Sequence, residues 1–340
     1  MTADLAPPDP APLAILDAHA HLYDSTVNRH AFLDRPDPTM TALVGDYSAL
    51  PQHYLLADYL ADSRSCRVTG LVAHEYLAAD PLAEMRWLQR QADAAAVPIA
   101  LVALADFEDP GLEARLDAYG DLPAITAVRQ HLGWDDTRPD RHFASRPDLL
   151  GDPAWRRGLA RLRPTGWRCG LEVFAPQLAC LAQIVRQEPE IGFTIAVLGW
   201  PLDPPQVELF RDARESSASS RPKADRLQAG SAGTTPEAFA HWRRDLAALA
   251  RCPNTRLSVS ATECIFGMAW TTDQLRPWLL TAIDLFGPAR TMLGSHLPIC
   301  KLSHGFAPLY ATYRDLLAGF SAEERDLMFR GVAAEWFRVR

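Results

Sequence analysis

The stretch LAILDAHAHLYD, residues 13–24, decides the fold of this chain. Its apolar start predicts a short buried strand, which ends at His19 and His21, two imidazoles separated by one residue. Alternate side chains of an extended segment lie on one face, so both rings are expected to project from the carboxyl end of the strand. Such a pair can bind a divalent cation or a substrate anion. Two histidines that cap a strand and bond to backbone groups are the alternative.

Strands and helices alternate along the rest of the chain. Apolar runs predict seven further strands, at residues 67–75, 97–104, 124–132, 167–174, 191–198, 255–261 and 291–295. Helical spacing predicts helices at residues 53–63, 81–96, 112–119, 153–162, 177–187, 236–251, 272–286, 306–317 and 322–337. This pattern predicts an α/β protein, a single-domain (β/α)8 TIM barrel over residues 13–340. An open doubly wound sheet is the alternative, but no GxGxxG follows an early strand.

Three segments fall outside this alternation. Residues 1–12 are rich in proline and are expected to form a disordered tail. Residues 25–51 form a long loop after the first strand, too long for a simple connection, and are expected to fold over the barrel mouth. Residues 203–235, rich in serine, arginine, alanine and glycine, predict a flexible insertion after the sixth strand.

Composition and charge narrow the class of protein. The chain has 340 residues, a formal net charge of −8 and no basic patch, which argues against a nucleic-acid partner. No apolar run approaches the roughly 20 residues that span a bilayer, and the N-terminus lacks the basic start and apolar middle of a signal peptide. Six cysteines without CxxC spacing predict reduced thiols. We expect a cytoplasmic enzyme with a small-molecule substrate; whether it is a homo-oligomer stays open.

Polar residues at the predicted strand ends are the candidates for chemistry, because a barrel places its active site at the carboxyl ends of its strands. Besides the first histidine pair, these residues are Glu75, Arg129, Gln130, His131, Glu172, Glu263 and His296. Glu75 and Glu263 could equally cap a following turn. The cysteines, including Cys264 and Cys300 just beyond strand ends, are expected to be packing residues without an activating base.

Two of these strand-end residues, Arg129 and Glu172, and four tryptophans elsewhere have specific alternatives. Arg129 and His131 share a strand face, whereas Gln130 faces the other way. The Arg129 guanidinium suits a carboxylate or lactone oxygen, and a salt bridge to a strand-end acid is the alternative. Glu172 lies between apolar neighbours, so it must find a cation or take up a proton, and could serve as a ligand or general base. Four tryptophans near loops or helix starts suit either a pocket wall or ordinary packing: Trp134, Trp200, Trp242 and Trp270.

Several longer motifs in this chain resemble one family. They are DAHAHLYD, GDYSAL, DPLAEMRWL, AVRQHLGW, RPDLLGDPAWRRGLARL, LRPWLLTAIDLFGPARTMLGS and AAEWFRV, in that order. Together they resemble the amidohydrolase-related metal-dependent hydrolases of the lactonase type, from residue 13 to residue 339 except for the serine-rich insertion. Members of that family hydrolyse sugar lactones or ring-cleavage lactones, and related branches are decarboxylases.

The resemblance implies a site that this chain keeps only in part. It implies a histidine pair on the first strand that binds metal or substrate, a polar residue on the fifth strand, a histidine on the sixth, and an acid or amide on the eighth, where the acid is the usual general base. Here Val197 and His296 take the sixth- and eighth-strand positions, and Val332 replaces a terminal asparagine. Zinc or manganese is the implied cofactor, although Val197 cannot ligate it. His296 could be a substitute base, a third imidazole ligand or a remnant.

These observations lead to one leading hypothesis and two alternatives. We expect a lactonase-like hydrolase of a small carbonyl substrate, with His296 as base. Its site would comprise His296, Glu172, Arg129 and His131 as catalytic residues, His19, His21, Arg129, Trp200 and Trp270 as substrate-binding residues, and His19, His21 and Glu172 as ligands if a metal binds. The first alternative is a metal-independent cyclase, isomerase, lyase or decarboxylase of secondary metabolism that uses His296 and Glu172. The second is a catalytically inactive, ligand-binding barrel.

Overall fold

A computed structural model describes residues 13–202 and 234–339 of the chain. The predicted N-terminal tail lies outside the described residues, as does the predicted insertion up to residue 233. The last two residues assigned to that insertion belong instead to the helix Thr234–Ala250. No helix in the described part of the chain combines the length and the apolar character needed to cross a membrane.

Eight parallel strands within the described residues form one sheet, in which each strand pairs with its neighbours in the sequence. We number them β1 (Ala14–His21), β2 (Arg67–His74), β3 (Ile99–Leu104), β4 (Ile125–His131), β5 (Arg168–Glu172), β6 (Gly192–Ile195), β7 (Thr255–Val259) and β8 (Thr291–Leu293). Helices lie between these strands, so the predicted single-domain (β/α)8 barrel is confirmed. The strands are short and mostly buried, as expected for a parallel sheet covered on both faces.

The barrel closes between its first and last strands, just beyond the end of β8. The His21 amide donates to the Leu297 carbonyl at 2.7 Å, and the His296 amide donates to the His19 carbonyl at 2.6 Å. Three of the four backbone groups in these two bonds belong to histidines that are candidates for the chemistry of the protein. Closure of the cylinder and placement of the imidazoles therefore depend on the same contacts.

Asp17 reinforces this seam from within β1. Its carboxylate accepts from the Ser295 amide at 2.7 Å, from the Ser295 hydroxyl at 2.6 Å and from the Tyr59 hydroxyl at 3.1 Å. Complete burial raises the pKa of Asp17 to about 6, despite these donors. The side chain thus fastens the segment after β8 to β1.

Helices surround the barrel on its outside and at its mouth. Their bounds are Ala31–Asp34, Pro38–Val44, Leu56–Ser63, Pro81–Ala94, Leu112–Gly120, Pro153–Ala160, Leu178–Gln187, Thr234–Ala250, Thr262–Phe266, Thr272–Phe286, Phe306–Leu316, Ala322–Asp326 and Val332–Trp336. Three of them begin with proline after an aspartate whose carboxylate accepts from two amides of the first turn, at Asp37, Asp80 and Asp152. The predicted closing helix, residues 322–337, is interrupted by a π-helical turn, Leu327–Gly331, which buries Met328 and Phe329.

The long loop after β1 folds over the barrel mouth, as predicted. It contains the helices Ala31–Asp34 and Pro38–Val44, and Tyr23–Asp24 pairs antiparallel with His53–Tyr54 to hold its two ends together. Met40, Leu43 and Val44 of this loop line the cavity at the carboxyl ends of the strands. The loop therefore supplies part of the cover that separates the site from water.

Gly294 offers a direct test of how tightly the seam is packed. A Cβ at this position would lie 2.7 Å from the His19 Cβ and 2.8 Å from the His19 amide nitrogen. Gly294→Ala should therefore lower the free energy of unfolding by about 1–3 kcal/mol, measured by urea denaturation. Gly319→Ala is the matched control, because no described atom lies within 4 Å of its added Cβ. Equal free energies of unfolding for the two variants would show that the seam accommodates the added methyl group.

Candidate active site

Three imidazoles from opposite ends of the chain meet at the barrel mouth. The ring centroids of His19 and His21 lie 5.0 Å apart, and those of His296 lie 4.9 Å and 5.3 Å from them. All three side chains are buried, and one nitrogen of each lies within 4.8 Å of one nitrogen of the others. We call these residues the imidazole triad. The structure thus brings the strand-one pair and the eighth-strand histidine to one point.

Each ring of the imidazole triad is fixed through its Nδ1 atom. The partners are Ser260 Oγ at 2.8 Å for His19, the Glu75 carbonyl oxygen at 3.1 Å for His21, and Glu263 Oε1 at 2.6 Å for His296. A carbonyl or carboxylate oxygen can only accept, so Nδ1–H donates in His21 and His296, and Nε2 keeps a free lone pair. His19 Nε2 is buried without a partner among the described residues.

This donor set fits a divalent ion of the zinc class. Burial and the nearby His74 ring hold the pKa of His19 well below its usual value, and burial and the Arg129 charge do the same for the pKa of His21. Both rings are therefore neutral near pH 7, the form in which imidazole binds a metal. Three imidazoles anchored by outer oxygen partners are a known zinc-binding arrangement. When Nδ1–H of His19 donates to Ser260 Oγ, the orphaned Nε2 atom carries a lone pair that needs an electrophile or a donor.

His296 adopts an unusual backbone conformation in this cluster. Its φ is +62°, in the left-handed region that a side chain with a Cβ occupies at a cost of about 1–2 kcal/mol. Strain of this kind clusters at functional sites, where surrounding contacts maintain it. Here the amide bond to the His19 carbonyl and the Glu263 contact hold the residue in place.

His74 is a fourth imidazole that the sequence analysis missed. It ends β2, and its ring centroid lies 4.2 Å from that of His19. Its Nε2 atom lies 3.2 Å from the Ala18 carbonyl oxygen, and burial, with the Arg129 charge, lowers the pKa of His74 to about 3. The signal was present, since His74 directly precedes Glu75 at a strand end. Ser260, which follows β7 by one residue, was missed in the same way.

Two cations and two carboxylates lie beside the imidazole triad, which they meet at the Glu75 carbonyl. Arg129 donates from Nε to Glu75 Oε1 at 2.6 Å, from Nη1 to Glu172 Oε1 at 2.8 Å and from Nη2 to the Glu75 carbonyl at 2.9 Å. His131 Nε2 lies 3.1 Å from Glu75 Oε1, and its Nδ1 lies 3.1 Å from Glu172 Oε2. We call Glu75, Arg129, His131 and Glu172 the charged quartet. The alternative of a salt bridge between Arg129 and a strand-end acid is therefore what the structure shows.

The charged quartet corrects the expected roles of Glu172. Burial opposes its charge, but Arg129 and His131 outweigh burial and hold the pKa of Glu172 below its usual range. Both carboxylate oxygens already have cationic partners, so Glu172 is a poor base and lies outside the cluster of potential metal ligands found in the described residues. The third imidazole of that cluster is supplied by His296. Glu172 instead neutralises buried cations.

His131 of the charged quartet should make the free energy of unfolding depend on pH. Burial disfavours its charge, but Glu172 raises the pKa of His131 from 6.5 to about 9. Between these values only the folded protein holds the proton, so this contribution is complete below pH 6.5 and is lost as pH rises through about 9. The stability difference between wild type and His131→Gln, from urea unfolding, should therefore shrink by about 3 kcal/mol over that interval. A constant difference would show that His131 is not a buried cation.

An apolar wall completes the cavity, which has a volume of about 60 Å³. Val197 occupies the position where the resemblance implies a ligand, and it lines the cavity together with Trp200. Strand β6 ends at Ile195, earlier than predicted, because Val197, Leu198 and Trp200 adopt φ values of +50°, +55° and +46°. The chain therefore turns sharply beside the cavity, and the Val197 side chain adds apolar surface to the lining.

The remaining residues singled out in the sequence take different positions. Trp270 is outside the lining of this cavity and packs against His304, with ring centroids 4.4 Å apart. Gln130 faces away, as predicted, and accepts from Trp155 Nε1 at 2.9 Å. Cys264 does line the cavity, and burial raises the pKa of its thiol well above the usual value. The substrate-binding role of Trp270 therefore receives no support from its position.

Comparisons with known proteins agree with this architecture. The amidohydrolase family model matches residues 16–339. The uncharacterized protein y4mH of Sinorhizobium fredii is 26% identical over 332 residues, 96% of this chain and 99% of that protein. The L-fucono-1,5-lactonase of Burkholderia multivorans is 33% identical over 110 residues, 30% of this chain and 36% of that protein. A solved amidohydrolase structure from Burkholderia multivorans with bound zinc has a TM-score of 0.70 at 21% identity, over 96% of this chain and all of that one, which shows a shared fold.

Proposed function

The chain belongs to the amidohydrolase family, and we propose that it hydrolyses a lactone or a similar small carbonyl compound at its barrel mouth. The observation that carries the proposal is the meeting of three anchored imidazoles in a buried cavity. A related lactonase and a zinc-containing structure of the same fold support the reaction class. Hydrolysis at such a site needs an electrophile for the carbonyl oxygen and a group that handles the proton of water.

The imidazole triad would hold the cofactor. When bound to His19, His21 and His296, a divalent ion of the zinc class supplies Lewis acidity toward a carbonyl and lowers the pKa of water. The anchors of these rings keep the donor atoms in place before binding. Glu263 has the most direct effect, because its carboxylate accepts from His296 at 2.6 Å and fixes the tautomer and orientation of that ring.

The remaining residues orient the substrate and exclude water. Ion pairs within the charged quartet fix the carboxyl ends of β4 and β5. The bond from Arg129 to the Glu75 carbonyl also fixes the group that anchors His21. Trp200 lines the cavity, and its Nε1 atom has no partner among the described residues, so it can donate to a substrate oxygen. The loop helix Pro38–Val44 covers the opening. A dry site of this kind strengthens each polar contact with the substrate.

Metal analysis and a hydrolysis assay together test this function. We expect the purified full-length protein to carry about one divalent ion per chain, most readily zinc, and to release acid from lactones in an indicator assay. Chelation should reduce both the metal content and the rate, and zinc should restore them. Absence of lactone hydrolysis by the zinc-loaded protein would contradict the proposal.

The Glu263–His296 pair favours a second candidate function. A carboxylate that holds an imidazole in one tautomer is also the arrangement of an acid–base catalyst. Without a metal, His296 would exchange protons in a cyclisation, isomerisation, elimination or decarboxylation. A protein that binds no divalent ion and keeps its activity in chelator would support this candidate over the first.

A further inference from the structure

The cavity has a polar side and an apolar side, and the two divide the roles in substrate binding. The polar side consists of the imidazole triad and three members of the charged quartet, Arg129, His131 and Glu172. Hydrocarbon and aromatic side chains form most of the rest of the lining, among them Leu43, Val44, Phe143, Val197, Trp200 and Ile299. A bound molecule must therefore place most of its surface against apolar groups, with its reacting carbonyl toward the imidazoles.

The cations of this cavity are already neutralised. Arg129 uses Nε, Nη1 and Nη2 for Glu75 and Glu172, and both ring nitrogens of His131 face the same two carboxylates. Among the described residues that line the cavity, no other arginine or lysine is present. A substrate carboxylate on this side would have to displace a buried glutamate or remain unpaired, and both are costly.

Two cavity-lining side chains offer neutral hydrogen bonds instead. Trp200 Nε1 and the Tyr76 hydroxyl are buried and have no partner among the described residues. An indole N–H and a phenol suit a carbonyl or ether oxygen. Two such groups cannot satisfy the many hydroxyls of a sugar, since each buried hydroxyl without a partner loses its hydration.

Resting on the proposed hydrolase function, we propose that the substrate is a small uncharged lactone or ester with an apolar or aromatic carbon skeleton. Carboxylated and polyhydroxylated lactones are rejected by the paired charges and by the apolar wall. Val197 contributes directly, because it places a hydrocarbon branch where an imidazole would otherwise face the substrate.

Binding of two matched probes tests this specificity independently of turnover. The first is 3,4-dihydroquinolin-2-one, an uncharged lactam that resembles dihydrocoumarin and resists hydrolysis; the second is its 6-carboxylate. Both present the same carbonyl, and because a carboxylate can itself bind a divalent ion, such an ion would favour the second probe and cannot explain tighter binding of the first. Calorimetry on the full-length protein as purified should show the lactam binding at least about 100-fold more tightly. Equal or tighter binding of the carboxylate, or no binding of the lactam, would overturn the proposal.

Glu172→Gln makes the physical reason testable. The amide can still accept from Arg129, but removing the negative charge leaves Arg129 and His131 with Glu75 as their only carboxylate partner in the quartet. The variant should bind the carboxylate probe more tightly. The ratio of the two dissociation constants, carboxylate over lactam, should therefore fall at least about tenfold. Glu188→Gln is the matched control, since Glu188 pairs with Arg163, and neither residue lines the cavity. An unchanged preference in Glu172→Gln would contradict the role of the paired charges.

Hydrolysis assays separate this proposal from the proposed function. Among lactones, dihydrocoumarin should have a kcat/KM at least about 100-fold above that of D-glucono-1,5-lactone. A protein that binds the lactam but hydrolyses no lactone would overturn the hydrolase function and leave the specificity intact. A protein that hydrolyses the sugar lactone best would overturn the specificity and leave the hydrolase function intact.

Discussion

His296→Ala is expected to abolish stoichiometric binding of a divalent ion and to lower kcat/KM for a hydrolysed lactone by more than about 100-fold. The physical reason is that only two imidazoles, His19 and His21, would remain in the triad, and two ligands hold such an ion weakly. Removal of an outer partner alone already costs about 10–100-fold in metal affinity, so loss of a ligand should exceed that range. Metal content after dialysis and initial rates of lactone hydrolysis measure the two effects.

Glu263→Gln is the matched control for this variant. It keeps the His296 ring and replaces the carboxylate at 2.6 Å with an amide, so metal affinity should fall by about 10–100-fold without being lost. Circular dichroism should show both variants folded. If His296→Ala kept its metal and its activity, His296 would be neither a ligand nor a base.

The second large effect concerns the charged quartet. Arg129→Met should reduce the free energy of unfolding by about 3–5 kcal/mol, because it leaves Glu75 and Glu172 buried with only His131 between them. All three partners are largely buried, so water cannot replace the guanidinium. Urea unfolding at neutral pH measures the change.

A double variant isolates the charge imbalance from the lost packing. Arg129→Met combined with Glu172→Gln removes one cation and one anion, so it should be more stable than Arg129→Met alone. Arg161→Met tests an exposed pair as control, since Arg161 and Glu113 lie at the surface 3.0 Å apart, and should cost less than about 1 kcal/mol. A double variant less stable than the single one would show that the quartet is not held together by charge balance.

The barrel and the pair His19 and His21 could be predicted from local sequence pattern. Apolar runs and helical spacing alternate along the chain, and the period of two in an extended strand places His19 and His21 on one face whatever the rest of the fold does. The position of His296 beyond the last strand follows from the barrel alone, because closure brings the first and last strands together. Its meeting with His19 is therefore a consequence of topology.

The roles of Arg129 and Glu172 could not be predicted in the same way, because they depend on register between neighbouring strands. β4 and β5 pair with His131 opposite Glu172 and Arg129 opposite Gly170, and this sets the carboxylate beside the guanidinium. The sequence offered a substrate contact or a salt bridge for Arg129, and only the pairing decides between them. Trp270 was misleading for a related reason: a tryptophan near a loop can face either the cavity or its neighbours, and here it packs on His304.

X-ray absorption spectroscopy of the zinc-loaded, full-length protein tests the central claim most directly. The imidazole triad predicts three nitrogen scatterers of imidazole type at about 2.0–2.1 Å from the metal, with no sulfur. A second cluster in the described residues, Glu263, Cys264 and His296, would instead give a sulfur scatterer at about 2.3 Å. Three imidazoles in wild type, together with loss of stoichiometric zinc in His296→Ala, would support the account. A sulfur ligand, or a spectrum unchanged by His296→Ala, would contradict it.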